Sequence, residues 1–226
     1  MLYKFIERDH LNSFFNNGCL RLGTLYDFKD TILHGETRGD TSEAEHHLIR
    51  DAGESLILSP KKYEPLFSEM FDVQGVGEIT FSNLSIVAPR KTEDAFIFCS
   101  SYIFNEKLFR KWLHEENLDS CYKISNPRGF FSEISKAIES SAYFYANLNI
   151  TYTEEYIEYN SAEASLNPAF TKHKEKYDWQ FENRSVWPAK GPYGNLKPWI
   201  IHAPKAIQYC RPFASIDDES VAYYKA

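Results

Sequence analysis

Strand-like and helix-like segments alternate from the first residues of this chain. Leu2–Ile6 is a short apolar run with the pattern of a β-strand. Asp9 is placed to cap a helix with an inward apolar stripe, and Gly18 is placed to end it. Cys19–Thr24 then predicts a second strand. Sheet and helix are therefore mixed from the start, and one fold must accommodate both.

The same mixture continues along the chain. Further strands are predicted around residues 55–58, 77–81, 84–88, 95–102, 121–124, 143–152, 179–184 and 198–202. Helices are predicted at residues 106–116, 127–138 and 168–176, and the tail after residue 202 is predicted to be less ordered. We therefore predict an α+β fold of mixed, mainly antiparallel sheets with flanking helices, in a single domain over residues 1–226.

Residues 34–52 lack a clear apolar stripe over most of their length. They contain Gly35, Gly39 and several acidic residues, so we predict an exposed polar loop inserted into the domain. Its neighbouring His46 and His47 do not share a helix face, and no HxxxH partner exists. Both are therefore expected to face solvent, and no metal site is predicted.

Apolar runs and the spacing of the cysteines indicate the cellular compartment of the protein. No run approaches the roughly 20 apolar residues needed to cross a bilayer, and the first residues lack the apolar core of a signal peptide. These features predict a cytoplasmic protein without a membrane partner. The four cysteines are scattered and form no CxxC pair, which indicates reduced core thiols rather than a zinc site or disulfides.

The net charge restricts the mode of nucleic-acid binding. A formal charge of −7 argues against a protein that coats duplex DNA, because such binding neutralises many phosphates. Stacking on aromatic side chains and a few cations still permits binding of a short single strand.

Polar and aromatic residues alternate in the segment Trp-Gln-Phe-Glu-Asn-Arg at residues 179–184. Residues two apart in a strand share a face, so Gln180 and Glu182 are predicted to point together. In a pocket, this pair would hold a sugar hydroxyl and stabilise a positive charge on a ribose. The alternatives are that the pair faces water, or that Arg184 simply pairs with Glu182.

Cations surround this segment in the sequence. Lys172, Lys174, Lys176 and Arg184 lie close to Glu182 along the chain. Such a mixture of charges suits an anionic ligand such as a dinucleotide pyrophosphate.

Several of these stretches resemble ADP-ribosyltransferase-like domains. The opening Leu-Tyr-Lys-Phe, the short helix ending at Gly18 and the following Leu-Arg-Leu resemble the start of domains of the DarT and tRNA 2′-phosphotransferase type. The Cys-Ser-Ser of residues 99–101 and the Gln-Phe-Glu of residues 180–182 resemble two motifs of the Arg–Ser–Glu class of these enzymes. The resemblance implies the split sheet of that family, with NAD as co-substrate.

The resemblance also implies roles for particular residues. Glu182 would hold the nicotinamide ribose, Gln180 would orient the nucleophile, and Ser100 or Ser101 would support the carboxylate. The implied dinucleotide-binding residues are Tyr3, Lys4, Arg21, Tyr26 and Ser101. Lys4 or Arg21 would bind phosphate, with Lys4 standing where the family typically has His or Arg. Tyr26 would pack against nicotinamide, although core packing explains it equally well.

A second resemblance concerns context. Tyr3-Lys4, Trp112 and residues 182–184 match the outline of a broad bacterial family of uncharacterised proteins that often occur as phage-defence or toxin proteins. It implies a conditional effector with an antitoxin as a possible partner. The function favoured is an NAD-dependent ADP-ribosyltransferase that modifies a macromolecule, with RNA or DNA preferred over protein as acceptor.

Two other functions compete with this hypothesis. One is a metal-dependent nuclease that uses acidic residues such as Asp27, Asp30 and Glu36, with Lys29 beside them. The other is a noncatalytic module that binds a partner through a degenerate pocket.

Overall fold

Strands dominate the structure. A computed structural model describes residues 1–53, 55–62, 64, 67–72, 74–75, 77–191, 196–217 and 220–224. The described residues form the strands β1 Leu2–Ile6, β2 Cys19–Thr24, β3 Glu45–Asp51, β4 Leu56–Leu58, β5 Ile79–Phe81, β6 Ser85–Lys91, β7 Ala95–Ser101, β8 Ser120–Ile124, β9 Ala146–Asn149, β10 Thr151–Thr153, β11 Tyr156–Glu158, β12 Thr171–His173, β13 Glu182–Pro188, β14 Trp199–His202, β15 Cys210–Asp217 and β16 Ser220–Tyr223.

Helices are fewer and mostly short. The α-helices are α1 Arg8–Asn17, α2 Thr31–Arg38, α3 Phe67–Met70, α4 Glu106–Glu116, α5 Pro127–Ala137 and α6 Lys174–Tyr177. Single 3₁₀ turns occupy Asp27–Lys29, Glu163–Ser165, Pro168–Phe170 and Asp178–Gln180, and a longer 3₁₀ segment occupies Pro204–Tyr209. No helix among the described residues is both long enough and apolar enough to cross a membrane.

The largest sheet has nine strands, and its pairings are antiparallel. Its main path is β14-β2-β7-β1-β8-β15-β16, and β13 pairs with both β7 and β9. The smaller sheets are β11-β3-β6, β10-β12 and β4-β5, in which β10 lies parallel to β12 and β11 parallel to β3. The predicted α+β fold with mainly antiparallel sheets is confirmed.

β1 and β2 share one edge of β7 and separate along it. Tyr3 of β1 pairs with Ser101 at one end of β7, whereas Gly23 of β2 pairs with Ile97 near the other end. Residues 98–100 of β7 therefore face a gap between β1 and β2. α1 connects the two strands, and Gly18 ends it with φ 68°, where a Cβ would lie only 2.4 Å from Pro204 Cα.

Different helices cover the two faces of the large sheet. α1 and α5 pack on one face against Phe98, Tyr122 and Trp187. α4 packs on the opposite face against Phe5 and Cys121. Strand residues alternate between these faces, so the gap between β1 and β2 is bordered by side chains from both.

Residues 34–52 are not a polar loop. Asp30 caps α2 by accepting hydrogen bonds from two backbone N–H groups of its first turn, and β3 pairs along its whole length with β6. β3 also pairs with β11. The local sequence does not indicate β3, because the residues of β6 that pair with it lie more than 30 positions away in the chain.

Three further predictions about elements are wrong. Residues 168–176 are not one helix but a 3₁₀ turn, β12 and the start of α6. The described part of the tail after residue 202 contains β15, which pairs with β8. Glu7, not Asp9, stands at the N-cap of α1.

The four cysteines are free, as predicted, but only Cys121 is buried in the core. The other three are partly exposed.

His46 does not face solvent as predicted. It is 5% exposed, and within the described part of the chain neither ring nitrogen has a hydrogen-bond partner. Burial lowers the pKa of His46, and the charges of Arg90 and His47 lower it further. Below about pH 6.5 an unfolded histidine takes up a proton, whereas the buried ring resists protonation, so the fold loses stability as the pH falls.

We expect His46→Leu to flatten this pH dependence. Between pH 7.5 and 5.5 the variant should lose less unfolding free energy than the natural chain, by at most about 1.4 kcal/mol. Urea unfolding at the two pH values measures the difference. His114→Gln, at a side chain that is 86% exposed, is the matched control. Equal pH slopes for the natural chain and His46→Leu would contradict the assignment.

Candidate active site

A cavity of about 260 Å³ occupies the gap between β1 and β2. β1, β2 and β7 form its walls, and residues of α1 complete the rim. Lys4 and Phe98 reach it from the face of the sheet that α1 covers, while Glu182 and Trp112 reach it from the face that α4 covers. The cavity therefore collects groups from both sides of the sheet.

The resemblance gave eight residues a catalytic or dinucleotide-binding role, and seven of them line this cavity. They are Tyr3, Lys4, Arg21, Ser100, Ser101, Gln180 and Glu182. Tyr26 is not among the described lining residues. Its hydroxyl donates to the carbonyl oxygen of Thr92 at 2.9 Å, and Lys29 lies over its ring.

Glu182 belongs to a buried network of four charges that we call the charge quartet: Glu43, Lys172, Glu182 and Arg184. Arg184 Nε lies 2.8 Å from Glu182 Oε1, and Lys172 Nζ lies 2.9 Å from Glu182 Oε2. The Arg184 guanidinium also binds Glu43, with distances of 2.5 and 3.1 Å from its two terminal nitrogens to the two carboxylate oxygens. Two anions balance two cations, as burial of charge requires. The predicted alternative that Arg184 pairs with Glu182 is confirmed.

The quartet keeps Glu182 ionised. Burial alone would raise the pKa of the Glu182 carboxyl, but Arg184 and Lys172 hold it well below its usual range. Burial would likewise lower the pKa of Lys172, but Glu182 and Glu43 raise it. Because the folded pKa of Glu182 is depressed, its pairing stabilises the fold above about pH 4.3 and is lost only in strong acid.

The backbone around Glu182 explains how it enters the cavity. Phe181 has the left-handed conformation with φ 47°, so Gln180 ends a 3₁₀ turn and β13 begins at Glu182. The prediction that residues 179–184 form one strand is therefore wrong. Tyr152 accepts a hydrogen bond from the Glu182 N–H at 2.8 Å and so fixes the start of β13.

Gln180 is held by groups on both sides of its amide. Its Nε2 donates to the Thr37 carbonyl at 2.7 Å, and its Oε1 accepts from Lys172 Nζ at 3.3 Å. It lines the same cavity as Glu182, although not for the reason of a shared strand face. Gln180 thereby links the end of α2 to the charge quartet.

The two serines do not support the carboxylate as the resemblance implied. Ser100 lies opposite Asn183, and Ser101 opposite Glu182, so Ser100 points to the other face of the sheet. Their hydroxyls donate to backbone carbonyls, Ser100 to Asn183 at 3.4 Å and Ser101 to Ile103 at 2.8 Å. Arg184 and Lys172 hold the carboxylate instead.

Three basic side chains line the cavity. Lys4 Nζ donates to the Cys99 carbonyl at 2.7 Å. Arg21 is held by Asp27 at 2.8 Å, and Arg38 by Glu116 at 2.5 Å. Asp27 and Glu116 are largely buried, but the two arginine side chains are 41% exposed. Each arginine is therefore held by a carboxylate while part of its side chain stays exposed.

Sequence reasoning missed Arg38 and Glu43 because it placed both in a loop. A capping Asp at residue 30 was the one local signal of α2, which carries Arg38. Lys172 had been noted only as one of several cations. No local signal points to Glu43, since its partner Arg184 lies 141 residues away in the sequence.

Comparison with known proteins identifies no relative. No protein-family model, curated protein or solved structure matches this chain. The site must therefore be interpreted from its own geometry.

Two of the acidic residues suggested for a nuclease, Asp27 and Asp30, have other partners. Asp27 accepts hydrogen bonds from Arg21 and His34, and Asp30 caps α2. Among the described residues, no group of three His, Cys, Asp or Glu side chains has the arrangement of a metal site.

Proposed function

We propose that this protein is an NAD-dependent ADP-ribosyltransferase whose reaction takes place in the cavity between β1 and β2. The observation that carries the proposal is the ionised carboxylate of Glu182, 4% exposed, in the same cavity as the guanidinium groups of Arg21 and Arg38. One negative group and several cations are what a ribose cation and a pyrophosphate need. The split between β1 and β2 is consistent with the sheet that the resemblance implies.

The chemistry requires a fixed negative group beside the ribose. As the bond between nicotinamide and ribose breaks, nicotinamide leaves with the bonding electrons and positive charge develops on the sugar. Glu182 is already ionised and held by two cations, so it does not reorganise to stabilise that charge. The acceptor then forms a bond to the same sugar carbon and releases its proton to water.

The cations fit the diphosphate of the dinucleotide. Arg21 and Arg38 are preoriented by Asp27 and Glu116, and planar guanidinium groups bind phosphate oxygens in pairs. A cavity of about 260 Å³ lies just below the range for small-molecule sites, about 300–1,000 Å³. It would hold the nicotinamide ribose, with the adenylate extending toward solvent.

A nucleic acid is the acceptor we favour. The resemblance supports this choice, because Gln rather than Glu two positions before Glu182 is similar to transferases that modify amides or bases. Trp112 also lines the cavity, and aromatic side chains stack bases in proteins that bind single strands. The proposal places the protein in the cytoplasm as a toxin or defence effector, with an antitoxin as its regulatory partner.

A labelling experiment tests donor and acceptor together. The purified protein is incubated with NAD labelled in the adenylate, and cellular RNA, DNA and protein are supplied in separate reactions. We expect label in RNA or DNA, together with release of nicotinamide. Label in protein alone would keep the activity but overturn the choice of acceptor. Cleavage of nucleic acid with magnesium and without NAD would favour the nuclease, and binding without nicotinamide release would favour the noncatalytic module.

A further inference from the structure

Lys4 lies in the gap between β1 and β2 with little to compensate its charge. Its Nζ donates to the Cys99 carbonyl and lies 4.9 Å from the centre of the Phe98 ring. The ion pairs between described residues do not include Lys4. The side chain is half-buried and lines the cavity, so a small molecule can reach its nitrogen.

The surroundings shift the protonation of Lys4 toward the neutral amine. Burial lowers the pKa of Lys4, and the charges of Arg38 and Arg21 lower it further, against opposing effects of Cys99 and Glu182. A neutral amine still donates one hydrogen to Cys99, and its lone pair is then free. Desolvation and neighbouring cations are the two devices that make a lysine nucleophilic near neutral pH.

We propose that Lys4 is an imine-forming lysine that captures a small aldehyde or ketone carrying a phosphate or carboxylate group. Its position in the cavity provides the amine, and Arg21 and Arg38 in the same cavity provide the site for the anionic group. This inference goes beyond the proposed transferase activity and does not depend on it.

The reaction is balanced without a further reactant. The Lys4 nitrogen attacks the carbonyl carbon, and a carbinolamine forms as a proton moves from nitrogen to oxygen. Loss of water then leaves the C=N bond, and addition of water reverses the step. The oxidation state of carbon does not change, so neither an oxidant nor a reductant is needed.

Pyridoxal 5′-phosphate is the probe, because it combines an aldehyde with a phosphate. The full chain is incubated with it near neutral pH, the imine is reduced by borohydride, and the modified peptides are identified by mass spectrometry. We expect Lys4 to be modified faster than the other lysines, by about tenfold for each unit by which its pKa lies below theirs. Pyridoxal without phosphate should react more slowly.

Lys123 offers a matched control. It pairs with Tyr3 on the neighbouring strand, and its Nζ lies 5.8 Å from the centre of the Phe213 ring, but it is not part of the cavity lining. Lys4→Arg should abolish the rapid modification, whereas Lys123→Arg should leave it unchanged. Modification spread evenly over exposed lysines, or unchanged by Lys4→Arg in a folded protein, would overturn the proposal.

NAD separates this inference from the proposed function. If both hold, NAD protects Lys4 from the probe because the two ligands share the cavity. Rapid modification of Lys4 that NAD does not affect would support the imine and count against the transferase. If Lys4 is modified slowly and NAD protects it, the result would support the transferase and count against the imine.

Discussion

Glu182→Gln is expected to lower the rate of nicotinamide release by about 100- to 1,000-fold, the usual effect of losing one preorganised electrostatic group. The amide cannot offer a full negative charge to the ribose, although its shape is almost the same. Release is measured per folded molecule, with Glu133→Gln as control, because Glu133 pairs with Lys136 on α5 and is not among the residues that line the cavity. Activity within a few-fold of the natural chain would refute the role of Glu182.

The same substitution is also expected to weaken the fold. From the sequence alone, near-isosteric replacement would preserve the structure. The charge quartet changes this expectation, because Glu182→Gln leaves Lys172 and Arg184 with Glu43 as their one remaining anion. Breaking a buried pair costs about 3–5 kcal/mol. Addition of Lys172→Met restores the balance of charge, so the double variant should be more stable than Glu182→Gln and still inactive.

Arg184→Met is expected to be the most destabilising single change at the site. Arg184 is 1% exposed and joins Glu182 to Glu43, so its loss leaves two buried carboxylates with Lys172 alone. A cost of about 3–5 kcal/mol is a large part of the 5–15 kcal/mol by which domains are typically stable. Urea unfolding measures the loss, and poor recovery of folded protein is a further expected sign.

Two further variants test whether the loss of stability comes from the buried charges of the quartet. Arg8→Met removes an exposed arginine that pairs with Asp119 and Asp217 and should cost less than about 1 kcal/mol. Arg184→Met combined with Glu43→Met removes a cation and an anion together and should regain much of the lost stability. Equal stability of Arg8→Met and Arg184→Met would show that the quartet contributes little to the fold.

Local patterns were sufficient where an element depends on its own residues. The apolar stripe of α4 places this helix at residues 106–116, as predicted. β1 and β2 also have their predicted bounds. Local patterns failed where the pairing partners of a strand are distant in the sequence. Neither β3 nor β15 has a periodic apolar pattern that distinguishes it from a loop.

The candidate site divides in the same way. The sequence by itself marked Glu182, Gln180, Lys4 and Arg21, since motif resemblance and charge are properties of residue type. Only the tertiary structure decided that Arg38 enters the same cavity and that Glu43 and Lys172 complete the charge around Glu182. The physical reason is that the free energy of a buried charge depends on which distant partners the chain brings within hydrogen-bond distance, and no local pattern contains that information.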